Sequence, residues 1–250
     1  MYDSLDTDNS PVAAVGRWLE REVITSTYGI DSAEFDRQYL GFSASTVWRV
    51  LVHHRSASPV AAMRCLVGPG ENFQFTRHVF QDYGLNWDDA CGLLGLDPHA
   101  QYVEGCTFSI LPEWRNADRM WPVKVTTALY LHLVEDCEAT AAVQLINPLV
   151  RRVFAQWGVP FESIAPPLAA PEFGGAVFDP TFSITTPGNT WFHTTDAEFY
   201  ALTRERSTAG RGGTRLPPLD LDRGSLAVQL NRKLYAERGR PVPVSRCPER

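Results

Sequence analysis

The sequence predicts a mixed α/β fold built on one sheet, and three observations point to it. Two β-rich runs, residues 46–54 and 59–67, are separated only by Arg55-Ser56-Ala57-Ser58, the pattern of a hairpin with a short loop. Further on, a strand-like run at 102–111, the best helical stripe of the chain at 121–137 and an apolar strand-like run at 141–146 follow one another. A strand–helix–strand succession implies parallel pairing of the two strands it joins.

The remaining elements follow in order. Val12, Val15, Trp18, Leu19 and Val23 place a first helix over residues 11–28, ended by Tyr28-Gly29, with a short helix expected over 33–40. Gly68-Pro69-Gly70 breaks the second hairpin strand, and residues 73–83 and 86–94 read as short helices closed by Gly84 and Gly95. In the 121–137 helix, Val125, Ala128, Leu129, His132 and Leu133 form the buried stripe. Asn147-Pro148 is a cap followed by proline in the first turn, opening a helix that runs to Trp157 and Gly158. Strands are expected at 159–164 and 176–185, and a helix at 196–206. The Gly-, Pro- and Arg-rich stretch 207–224 reads as a linker and 225–238 as a last amphipathic helix. The domain expectation is therefore a body at 1–206 and a basic linker, helix and tail at 207–250.

Composition narrows the function. The net charge of −6 is unevenly spread: from Arg204 to Arg250 eleven Lys/Arg face five Asp/Glu, leaving +6 there and −12 elsewhere. An acidic body without a basic stripe argues against nucleic acid as ligand, while the basic segment suits an acidic protein partner. Five cysteines, none paired at C-x-x-C spacing, point neither to a disulfide framework nor to zinc. No apolar run is long enough to span a bilayer and no secretory signal is visible, so a cytoplasmic, metal-free protein is expected.

Within the 102–111 run, Val103-Glu104-Gly105-Cys106-Thr107-Phe108 puts one carboxylate into an otherwise apolar strand. An acid there is either paired or held in a cleft where its charge is used. Read with Phe35-Asp36-Arg37-Gln38-Tyr39-Leu40, Val60-Ala61-Ala62-Met63-Arg64-Cys65-Leu66 and the segment from Gln144-Leu145-Ile146-Asn147 to Gly158, this stretch resembles the acyl-homoserine-lactone (autoinducer) synthases and their relatives, the long-chain N-acyl amino acid synthases. Both belong to the GNAT acyltransferase superfamily, and the resemblance spans residues 31–185. It implies a mixed, mostly antiparallel sheet with a splayed central strand pair, flanked by helices. It departs from the family at Thr107, where those enzymes carry an arginine, and at Arg115-Asn116-Ala117-Asp118-Arg119-Met120, which lacks the glycines of a pyrophosphate turn.

The expected activity is transfer of an acyl group from a coenzyme A or acyl carrier protein thioester to the amine of a small amino-acid-like acceptor. Alternatives are an autoinducer-type synthase using S-adenosylmethionine, or a catalytically silent module that binds a thioester or a partner. Glu104 is the candidate base, and Gly105 beside it would permit a β-bulge. Arg64 is a candidate for a substrate carboxylate, with pairing to Asp36 or Glu104 as its other reading, and Asp36 for an ammonium. Thr107 and Cys106, on the strand of Glu104, are the other candidate substrate contacts. Arg115, Arg119 and Lys124 surround the start of the 121–137 helix, where a phosphopantetheine or coenzyme A phosphate arm is expected.

Overall fold

The computed structural model describes residues 2–5, 11–39, 46–53, 58–84, 86–115, 121–159, 161–184, 194 and 196–205. The expected linker, last helix and basic tail lie outside the described residues, as does Arg119. Strands β1 (Tyr2–Leu5), β2 (Thr46–His53), β3 (Ser58–Gly68), β4 (Tyr102–Ile110), β5 (Ala141–Ile146), β6 (Glu162–Ser163), β7 (Leu168–Ala170) and β8 (Ala176–Ile184) are joined, among the described residues, by six helices of eight residues or more and by shorter turns. These are α1 (Pro11–Tyr28), α2 (Ser32–Tyr39), α3 (Trp87–Leu94), α4 (Trp121–Asp136), α5 (Pro148–Gln156) and α6 (Ala197–Glu205). The sheet order is β1-β2-β3-β4-β5-β8-β6, with β7 pairing to β8 off this path.

The hairpin is present: β2 and β3 are antiparallel, with an irregularity between Leu51 and Val52. The central pair β4/β5 is parallel, as the intervening helix requires, while the other pairings are antiparallel. That parallel pairing covers only three rungs, Tyr102 with Ala141, Val103 with Ala142 and Glu104 with Val143, although both strands continue. Beyond Glu104 the two strands part, giving the splayed pair. On its other side β4 stays paired with β3, but the register jumps: Arg64 faces Thr107 and Cys65 faces Gly105, so Cys106 is the extra residue of a bulge.

Each side of the sheet is covered. On one face α1 packs Val15, Leu19 and Val23 onto Trp48, Val50 and Ala62. Farther along that face the segment after β3 packs Phe73, Phe75, Phe80 and Trp87 onto Leu66, Tyr102, Val143 and Phe182. The opposite face carries α4, α5 and α6, whose Leu129, Leu133, Phe154 and Tyr200 cover Met63, Cys65, Val103 and Ala142. As the sequence predicts, Asn147 caps α5, its side chain accepting from the Leu149 amide at 2.9 Å with proline in the first turn.

Three elements differ from expectation. β1, which the sequence did not announce, is a four-residue edge strand that exists by pairing with β2. The strand expected at 159–164 is reduced to Glu162–Ser163, and β7 lies in a loop-like stretch. Residues 73–83 are not one regular helix: a π-turn (Thr76–Phe80) runs into a single α-turn (Gln81–Tyr83). Such π-turns are frequent beside functional sites.

Candidate active site at the splayed strands

Glu104 sits on the last rung before β4 and β5 separate and is 3% exposed. Its Oε1 accepts from the backbone N–H of Phe75 at 2.5 Å, while Oε2 is buried with no hydrogen-bond partner among the described residues. Burial pushes its carboxyl up to about 8, against the lowering effect of the Phe75 amide, of the Arg64 charge and of the Gln74 backbone. A carboxyl at that value, with one oxygen uncommitted, is a usable base near neutral pH rather than a settled structural anion.

Arg64 pairs with neither Asp36 nor Glu104. Its Nε donates to Oε1 of Glu20, on α1, at 2.9 Å, and its Nη2 donates to Oε1 of Gln74 at 3.4 Å. The same Glu20 oxygen accepts from Thr107 Oγ1 at 2.6 Å. Both members of the ion pair are nearly inaccessible, and burial pushes the Glu20 carboxyl upward, opposed first by the Arg64 charge and then by the Thr107 hydroxyl. Thr107 therefore sits on the Arg64 rung as a second donor to a buried acid. Gln74 and Phe75 join the two carboxylates: the Gln74 side chain receives Arg64, and the Phe75 backbone holds Glu104.

The other predicted residues fall in distinct places. Cys106, at the bulge, donates from Sγ to the Glu104 carbonyl at 3.7 Å, and burial pushes its thiol well above the ordinary range, so it is a neutral thiol. Asp36 accepts from Arg21 at 2.5 Å and ties α2 to α1. The helix-start acid is Asp31, whose Oδ1 accepts from the Ala33 amide at 2.8 Å. Arg115 follows β4, donating to the Ile110 carbonyl at 3.0 Å and to Thr27 Oγ1 at 3.2 Å. Lys124 is paired with Asp196 and lies over the Phe199 ring, joining α4 to α6.

Sequence reasoning passed over Glu20, Gln144 and Tyr130. Glu20 lies between Leu19 and Val23 on the buried side of α1, the same signal of an acid in an apolar stripe that singled out Glu104. Gln144 is the polar residue in a strand read as wholly apolar. It is 4% exposed, and its Oε1 accepts from the Tyr130 hydroxyl at 3.0 Å. A Cβ on Gly105 would lie 3.0 Å from that oxygen and 3.4 Å from Cε2 of Tyr130. Glycine is thus needed beside Glu104 to admit the Gln144–Tyr130 pair between the strands.

This mostly antiparallel sheet, splayed at its central parallel pair, is GNAT-like in fold. Solved structures show the same fold. FeeM, an N-acyl amino acid synthase from uncultured soil microbes, superposes with a TM-score of 0.54 at 12% identity, covering 76% of this chain and 99% of FeeM. The AHL synthase LasI gives 0.53 at 11% identity over 77% of this chain and 92% of LasI. TofI in a ternary complex with an inhibitor and MTA gives 0.50 at 14% identity, covering 72% and 88%. No protein-family model matches the sequence, and no curated protein matches it.

Proposed function

We propose that this protein is an N-acyltransferase that moves an acyl group from a coenzyme A or acyl carrier protein thioester to the amine of a small amino-acid-like acceptor. One observation carries the reading: Glu104 is buried at the opening of the splayed strands, with a raised pKa and an uncommitted oxygen. The amine nitrogen attacks the thioester carbonyl, its surplus proton passes to the Glu104 carboxylate, and the C–S bond breaks to release a thiolate that is then protonated. The likeness in fold to FeeM and LasI supports acyl transfer as the reaction class.

Arg64, Thr107 and Cys106 form the wall next to the base. The Arg64 charge, matched by Glu20, favours the ionised base without standing free as a cation. In this reading Asp36, Arg115 and Lys124 contact the acceptor or the phosphate arm once their present partners exchange, and Arg119, outside the described residues, is a further proposed contact for the phosphate arm.

The test is thiol release from acyl-coenzyme A and acylated carrier protein with a panel of amines. Glu104→Gln is expected to lose about 10²- to 10⁴-fold in rate. Wild-type kcat/KM should rise with pH through an apparent pKa near 8. A Glu104→Gln variant equal to wild type in every productive mixture rejects the proposal.

A further inference from the structure

At the apex of the splayed pair one buried polar atom besides Glu104 Oε2 is left open. Gln144 is the first residue of β5 beyond the last shared rung, as Gly105 is of β4. Its Oε1 is held by Tyr130, which fixes the carboxamide, yet Nε2 is buried with no hydrogen-bond partner among the described residues. An unmet buried donor costs stability, about 1–3 kcal/mol for a typical group. Here the carboxamide is oriented rather than loose: its Oε1 lies against Gly105, where no side chain separates it from β4, and Nε2 is the other arm of the same fixed group.

The two open atoms lie on opposite faces of the sheet. Side chains alternate along a strand. Glu104 therefore meets the segment carrying Phe75, whereas Gln144 meets Tyr130 of α4 on the other face. A carbonyl lying between the strands at this level has the base on one side and the amide donor on the other. When an amine attacks from the base's side, the carbonyl carbon becomes tetrahedral and its oxygen swings away from the nucleophile. That motion carries the developing negative charge toward Gln144.

We infer that Gln144 is the side-chain oxyanion donor of acyl transfer, its Nε2–H receiving the thioester oxygen on the face opposite Glu104, with Tyr130 as its positioning residue. This rests on the acyl-thioester reading above. The bonds made and broken are those of that reaction. Gln144 contributes a hydrogen bond that strengthens as the C=O becomes C–O⁻, and no proton leaves it.

The probes are hexanoyl-coenzyme A and hexanoyl-phosphopantetheine, each with its S-hexyl thioether, which lacks the carbonyl. With wild type the thioesters should bind about tenfold more tightly than the thioethers, and the ¹³C-labelled carbonyl stretch should move to lower frequency on binding. Gln144→Met, similar in shape but without the donor, should erase both effects, raising KM for the thioester about tenfold and lowering kcat about 10²-fold. Tyr130→Phe should give an intermediate carbonyl frequency. Should Gln144→Met not fold, Gln144→Asn, which withdraws the amide by one methylene, serves the same comparison. Persistence of the thioester preference and the frequency shift in the variant overturns this inference alone. Failure of wild type to bind any of the probes overturns the acyl-donor reading and this inference with it.

Discussion

Glu104 brings together two demands that oppose each other. As a base it must shed its proton near neutral pH, while its dry surroundings penalise the charge that results. Its pKa of about 8 in the fold exceeds the ordinary 4.5, so the native state holds a proton that the unfolded chain releases. The linkage sign follows: the native state is favoured below pH 4.5 and loses this contribution as pH climbs toward 8. Glu104→Gln keeps an oxygen for the Phe75 amide and removes the penalty. Its thermal midpoint should exceed that of wild type by a wider margin at pH 8 than at pH 5, as read by calorimetry at both values. Equal margins would show that burial leaves this carboxyl unperturbed. A more stable, inactive variant is the usual signature of a strained functional group. Gly105→Ala probes the same spot from the next residue of β4, on the opposite face: its methyl crowds Gln144 and Tyr130, so turnover should fall more steeply than stability.

At the scale of elements, α1 is fixed to the sheet by polar and steric means together. The Glu20–Arg64 pair joins it to β3, and loss of one partner leaves the other charged and buried. Glu20→Ala should cost about 3–5 kcal/mol in denaturant unfolding, whereas an exposed pair such as Arg37–Glu34 should cost no more than about 1 kcal/mol. Gly16 lets α1 approach β2 so closely that a Cβ there would overlap the Trp48 indole. Gly16→Ala is expected to destabilise by about 1–3 kcal/mol, through crowding that outweighs alanine's better helix propensity. An unchanged unfolding midpoint for Gly16→Ala would mean that the helix can slide away from the sheet without penalty. The helix itself was legible from its spaced valines and leucines; that an acid on its buried face meets Arg64 was not, because the partner lies 44 residues away.

Across the whole molecule, two buried titrating groups pull stability in opposite directions with pH. His132 of α4 is fully buried against α6, its Nε2 3.0 Å from Thr203 Oγ1 and its ring 4.1 Å from that of Tyr200. Burial lowers its pKa, with the Glu135 carboxylate opposing and the Arg204 and Arg49 charges assisting. Because the unfolded histidine protonates near 6.5 and the buried one resists, stability from this group is lost as pH falls below that value. Hydrogen exchange should show the amides of α6 opening faster at pH 5.5 than at pH 7, and His132→Asn should flatten that difference. With Glu104 acting in the opposite sense, these two groups place the stability maximum between about pH 4.5 and 6.5, where their slopes oppose each other. The basic segment from Arg204 to Arg250 adds a separate expectation: docking of an acidic carrier protein that weakens with salt.

The sequence by itself determined the order of the main elements, the hairpin, the parallel central pair and the carboxylate at its end. These are written in local periodicity and in a charge placed where a strand should be apolar. Edge strands β1 and β7 were not legible, since so few residues carry no period and take their form from the strand beside them. The tertiary structure alone decided which groups are engaged and which are open. Arg64 read in the sequence as a ligand or as a partner of Asp36 or Glu104, and Asp36 and Lys124 as candidate ligands; the fold pairs them with Glu20, Arg21 and Asp196, because ion pairing depends on distances between segments far apart in the chain. Gln144 read as one more residue of a buried strand, and only the parting of β4 and β5 makes its unmet amide a feature of the site.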